Sequence, residues 1–235
     1  MPHCAKSLAA VLVSALLGLS LVTATAFALV IKGTRGNDTI TGTDGADRIV
    51  ARAGNDQVDA GKGADRVFGN RGDDTLRGGD GFDRLHGGPG NDTSEGNAGD
   101  DLLSGGPGDD RQYGGPGDDR IFANRGNDTS SGGPGDDVLF ALARRDVHGP
   151  ADLDGDIVRG DGGDDRIHVR DGERDVVNCG EGSDVAFLDF KDVIEDATPA
   201  APNGSCEVVQ RHAPRRADSR AEDRTENPAE DREED

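Results

Sequence analysis

Aspartate recurs at every ninth position along much of this chain. Asp38, Asp47, Asp56, Asp65, Asp74, Asp83, Asp92, Asp101, Asp110, Asp119, Asp128, Asp137 and Asp146 stand in phase. Two residues before each lies a glycine, from Gly36 to Gly135, replaced by Arg144 in the last unit. Carboxylates at fixed spacing beside glycine-rich backbone offer oxygen atoms to a hard cation. Calcium takes about six to eight such oxygens, from carboxylates and carbonyls alike. A single aspartate cannot saturate it, but stacked turns that each offer one carboxylate and free carbonyls can. The same carboxylates are weak candidates for acid–base catalysis, because periodic sharing between turns suits a metal better than a reaction. His3, His86, His148, His168 and His212 form no H-E-x-x-H pair. No G-x-S-x-G elbow and no phosphate loop occurs. The chain is therefore not expected to be an enzyme.

The elements that must position these carboxylates follow from the same period. Residues 33–149 read as thirteen units of G-G-x-G-x-D-x-U-x, beginning GTRGNDTIT, GTDGADRIV and later GGPGNDTSE, GGPGDDRIF and GGPGDDVLF. A nine-residue period signals a solenoid in which each unit contacts its neighbours. The six leading residues form a turn, because glycine permits positive φ and close backbone approach. The last three form a short strand whose middle residue points inward. Two units make one coil, so alternate units stack in two columns. The even column carries Ile49, Val67, Leu85, Leu103, Ile121 and Leu139. The odd column carries Ile40, Val58 and Leu76, then Ser94, Gln112, Ser130 and His148. Ninth positions on the even side (Val50, Phe68, Phe122, Phe140) predict the stickier outer face. Ala51, Ala60, Ala123 and Ala141 replace the first glycine and predict less ideal turns there. After Gly149 the register slips by one residue at Pro150, Asp156 and Asp165 regain the sixth position, and a further residue precedes Asp175. Arg144 and Arg145 make the thirteenth unit a poor ligand. The candidate ligands are thus the twelve sixth-position aspartates from Asp38 to Asp137, with Asp156 and Asp165.

These units resemble the calcium-binding nonapeptides of the repeats-in-toxin, or haemolysin-type, family. The resemblance implies an all-β fold, a right-handed parallel β-roll with Ca²⁺ held between turns by sixth-position aspartates and carbonyls. It covers 33–149 closely and 151–190 loosely. The segment DVVNCGEGSD (175–184) followed by Cys206 is similar to the ends of secreted actinobacterial proteins of this type, and implies a Cys179–Cys206 disulfide. Many family members carry a protease, lipase or pore-forming domain ahead of the repeats. This sequence shows none, so no toxin activity carries over.

Composition sets the energetic frame. Aromatics are 3%, tryptophan is absent, and the formal net charge is −21. So little apolar material and so much like charge rarely support a core. Cation binding would supply the missing folding free energy. The negative charge excludes nucleic acid as a partner, which needs clustered Lys and Arg. Residues 1–28 read as a secretory signal: a short basic start, an apolar run from Leu8 to Val22, and Ala26-Phe27-Ala28. Residues 29–149 are the regular repeats, 150–210 degenerate repeats with a cap, and 211–235 a disordered charged tail. No later segment is apolar enough to span a membrane. The expected role is extracellular calcium binding with calcium-dependent folding and a structural or interaction function. The alternatives are an accessory to a secreted toxin or hydrolase and, last, a calcium-dependent hydrolase.

Overall fold

The computed structural model describes residues 28–141, 155–198, 201 and 204–212. Within them every regular element is a strand. Ten strands, from Val30–Lys32 to Val208–Arg211, form one parallel sheet, and nine, from Thr39–Thr43 to Val193–Ile194, form the other. Successive strands alternate between the sheets, so the chain winds as a β-solenoid of about eight repeat coils. Extra strands extend the sheets at both ends. Among the described residues no helix is long and apolar enough to cross a membrane.

Register follows the nine-residue period. Ile49 pairs with Val67 and Val67 with Leu85 in the even sheet, and Ile40 with Val58 and Val58 with Leu76 in the odd sheet. These eighth-position side chains are buried in one continuous core. First-position Ala51, Ala60, Ala123 and Ala141 join it, each at most 1% exposed, so the alanines serve as core filler as well as turn residues.

The odd column departs from expectation at its far end. Val158, not His148, stacks on Ser130, and Val177 and Ile194 follow. The polar lining is therefore a three-rung interruption at Ser94, Gln112 and Ser130, after which apolar packing resumes. Gln112 is fully buried; its Nε2 donates to Phe122 O at 2.9 Å, and its Oε1 accepts from Ser130 Oγ at 3.2 Å. The register slip is also larger than one residue. Asp128 and Asp156 are ladder partners 28 residues apart, where Asp110 and Asp128 are 18 apart. Ten additional residues thus lie between consecutive rungs. The thirteenth unit beyond Ala141, with Asp146 and His148, falls outside the described residues, as do most of the signal segment and of the tail.

The even outer face carries the expected aromatic column, but its rings cover one another. Phe122, Phe140, His168 and Phe187 stack with centroid separations of 4.9, 4.8 and 4.5 Å. Phe122 and Val50 are buried, and the largest exposed apolar side chain, Phe190 at 73%, lies in the C-terminal cap. There Cys179 and Cys206 are joined in a disulfide across a sequence separation of 27. In the chain-entropy account, closing a loop of that size contributes about 3 to 4 kcal/mol.

Candidate metal centre

The sixth-position aspartates form two continuous ladders along the turns. In each, the backbone N–H of one aspartate donates to Oδ1 of the aspartate one coil further on. Asp74 N to Asp92 Oδ1, Asp92 N to Asp110 Oδ1 and Asp110 N to Asp128 Oδ1 are each 2.7 Å. The aspartate carbonyl is used as well, accepting from the seventh-position N–H of the next coil, as Asp56 O does from Thr75 N at 2.8 Å. N–H, C=O and one carboxylate oxygen are therefore satisfied within the protein.

The second carboxylate oxygen is not. Oδ2 of Asp56, Asp65, Asp74, Asp83, Asp92, Asp101, Asp110, Asp119, Asp128, Asp137 and Asp165 is buried without a hydrogen-bond partner. Orphaned buried carboxylate oxygens are costly, and folded proteins keep only a few unsatisfied buried polar groups. A file of them requires a positive partner. The space beside them has the chemistry for one. A methyl built on first-position Gly87 would fall 2.3 Å from Asp92 Oδ2 and 2.6 Å from Gly105 O. Gly96 is placed likewise against Asp101 Oδ2 and Gly114 O, at 2.3 and 2.6 Å. A carboxylate oxygen from one coil and a carbonyl from the next thus close in on the glycine Cα together, where a side chain would hold them apart. Among the described residues no group of three or more His, Cys, Asp or Glu converges on a point. An ion here would complete its shell from backbone oxygen, as hard cations do and zinc does not.

The fourth-position glycine holds this geometry. Gly81 has φ of 144°, and a Cβ there would lie 1.8 Å from Gly63 O in the preceding coil. Both the conformation and the carbonyl stacking exclude a side chain.

Burial raises the carboxyl pKa values. Asp92 and Asp137 are pushed up to about 8, and Asp101, Asp110 and Asp165 to about 7. Loss of solvation is the largest cause. The backbone hydrogen bond to Oδ1 works against it, and neighbouring carboxylates add a smaller upward push. The cost of the ion-free ladder at these residues is thus desolvation first and mutual repulsion second.

The predicted residues do not all behave alike. Asp156 is buried and its Oδ1 accepts from Asp128 N at 2.8 Å, which places it in the odd ladder. Asp38 and Asp47 differ, because Oδ2 of each is already bonded within its own turn, by Thr34 and Thr43. Two ladder members lie outside the fourteen. Asp175 and Asp184 continue the columns, with Asp156 N and Asp165 N donating to them at 2.8 and 2.9 Å, and their Oδ2 atoms are orphaned too. Their nine-residue separation was the signal for them; the inserted residue before Asp175 masked it. Asp192 and Glu207 close the ladders, Glu207 Oε2 accepting from Asp184 N at 2.7 Å. A further ladder was not anticipated. Fifth-position Asn55, Asp73, Asn91 and Asp109 accept backbone N–H bonds from the next coil at 3.0 to 3.1 Å. The polar fifth position therefore ties coils together outside the carboxylate file.

Comparison with known families agrees with this geometry. The RTX calcium-binding nonapeptide repeat matches in four copies, at residues 32–67, 68–103, 86–120 and 104–139. No curated protein matches the chain. Residues 32–139 are thus RTX, or haemolysin-type, calcium-binding nonapeptide repeats.

Proposed function

We propose that this protein is an exported calcium-binding β-roll whose folding is completed by the ions it takes up, and that its role is structural or interactive. The observation that carries this reading is the file of buried, unpartnered Oδ2 atoms with backbone carbonyls of the next coil close by. Asp56, Asp65, Asp74, Asp83, Asp92, Asp101, Asp110, Asp119, Asp128, Asp137, Asp156 and Asp165 would each contribute carboxylate oxygen, and carbonyls such as Gly105 O the remainder. The bound ion supplies positive charge where the protein offers none. Binding free energy then becomes folding free energy. Extracellular calcium modules work in roughly the 10⁻⁴ to 10⁻³ M range, so a chain of this kind folds where calcium is abundant. Export is supported by the signal-like residues 1–28 and by the Cys179–Cys206 disulfide, which belongs to oxidising compartments.

The test is circular dichroism of residues 29–235 during a calcium titration. The spectrum should change from coil to β at millimolar Ca²⁺ and stay unchanged with Mg²⁺. A fully β spectrum in excess chelator would overturn the coupling of folding to the ion.

A further inference from the structure

The first coil solves the carboxylate problem in a different way from the coils that follow it in the regular run. Among the twelve units from Gly33 to Phe140, only the first two carry threonine at the second position, Thr34 and Thr43. Thr43 N donates to Asp47 Oδ2 at 2.6 Å, and Thr43 Oγ1 to the same oxygen at 2.9 Å. Thr34 N and Oγ1 reach Asp38 Oδ2 at 2.5 and 3.0 Å. The hydroxyl also accepts from the fourth-position N–H, Gly36 N at 3.2 Å and Gly45 N at 3.1 Å. Each threonine therefore bridges its turn to its own aspartate.

The backbone changes at the same place. Gly36 and Gly45 are absent from the positive-φ residues, whereas fourth-position glycines from Gly54 onward adopt φ above 100°. The second position switches too: Arg52, Asn70, Asn97 and Asn124 have φ of 75–88°, and the threonines do not. A β-branched residue resists the left-handed region, so threonine itself selects the alternative turn. In that turn its amide faces the carboxylate. In later turns the second-position amide instead donates to the next coil, as Asn70 N does to Gly87 O at 2.7 Å.

We infer that Thr34 and Thr43 make the first coil an ion-independent end rung, in which two hydrogen-bond donors stand where the later coils take a cation. The inference rests on the calcium reading above and narrows it: the ion ladder begins at Asp56 and Asp65, not at Asp38 and Asp47. Thr39–Thr43 is the edge strand of its sheet, so an ion beside Asp38 would face solvent on one side, while Val30–Lys32 gives the Asp47 unit only a partial coil beneath it. Terminal units of repeat proteins commonly carry their own solution to that exposure. Charge-assisted bonds from an amide and a hydroxyl satisfy the carboxylate without a second coil.

The experiment counts calcium ions bound by residues 29–235, using isothermal titration calorimetry and equilibrium dialysis with Ca²⁺ alone. The pair Asp38→Asn/Asp47→Asn is compared with Asp74→Asn/Asp83→Asn, with circular dichroism in saturating calcium to verify the fold. The first pair should keep the unsubstituted chain's ion count, and the second should lose at least one ion. Equal losses from both pairs would overturn the end-rung assignment while leaving calcium binding intact. No uptake by the unsubstituted chain would overturn the calcium reading itself, and this inference with it. Should a pair fail to fold, the single variants Asp38→Asn and Asp74→Asn carry the same comparison, with the same two outcomes.

Discussion

At the scale of single residues, the repeat is a set of backbone conformations that side chains must tolerate. The second position shows this most sharply. From the third unit onward it lies in the left-handed region, where Gly61, Gly79 and Gly88 fit without strain and Asn70, Asn97 and Asn124 fit well. Arg52 has φ of 88° and an exposed side chain that offers no compensation of the kind asparagine does. Holding an ordinary residue there costs about 1 to 2 kcal/mol, of which glycine's greater unfolded-state freedom returns part. Arg52→Gly should therefore stabilise the calcium-loaded protein by about 0.5 to 1 kcal/mol, read from urea unfolding at fixed calcium. A loss of stability would show that the long side chain contributes packing or charge that outweighs its backbone strain. The requirement for glycine at the fourth position was legible from the spacing. The positive φ at Arg52 was not, because the first two units carry threonine there and do not share it.

At the scale of strands, the period of nine fixed more than any propensity could. Strands such as Thr93–Ala98 (TSEGNA) and Thr129–Pro134 (TSSGGP), with glycine, asparagine and proline in them, are not strong β-formers, yet each finds its place because its turn is dictated. The division into two sheets and the inward residues from Ile40 to Leu139 follow from parity alone. What parity could not supply was the length of the break after Ala141, since one inserted residue and ten restore the same phase. His148 was accordingly expected where Val158 stands. The polar seam in the odd sheet was visible as residue types, but not its internal wiring. Gln112 bonds to Phe122 O and to Ser130, while Ser94 Oγ is buried without a partner. An unsatisfied buried hydroxyl costs about 1 to 3 kcal/mol. Ser94→Ala should raise the unfolding midpoint and stabilise by about 1 kcal/mol, whereas Gln112→Ala should destabilise by about 2 kcal/mol or more through lost bonds and a cavity. Denaturant unfolding in saturating calcium separates the two, and destabilisation by both would mean that Ser94 has a hydrogen-bonded solvent partner.

At the scale of the whole molecule, the ladders make stability depend on pH in an unusual direction. Carboxyls whose folded pKa lies above the unfolded value bind more protons in the folded state, so stability falls as pH rises between the two. Here that window runs from about 4, the ordinary value, to about 8 at Asp92 and Asp137. In chelator the β signal in circular dichroism should grow on acidification from pH 8 to pH 5, as protons neutralise the buried carboxyls, while calcium uptake should weaken over the same range because protons compete for Oδ2. A β signal that falls on acidification would mean that the carboxyls are not desolvated as the structure has them. The last consequence concerns the break in the solenoid. Consecutive rungs at Leu139 and Val158 bracket ten residues more than a rung needs, since their ladder partners are 28 apart and not 18. Asp137 N nevertheless donates to Asp165 Oδ1 at 2.8 Å, the distance found within the regular run. The two halves therefore stack directly, with the coil below the break supporting the coil above it. Deleting residues 142–151 would join Ala141 to Asp152 and create the unit ADLDGDIVR, with Asp156 sixth and Val158 eighth. Closure of a shorter loop costs slightly less entropy, because the cost grows only with the logarithm of length. The deleted chain should keep the β spectrum in calcium, keep the unsubstituted ion count, and unfold within about 1 kcal/mol of the parent. Loss of the ions carried above the break, with those below retained, would instead show that residues 142–151 are needed to seat the second half of the solenoid on the first.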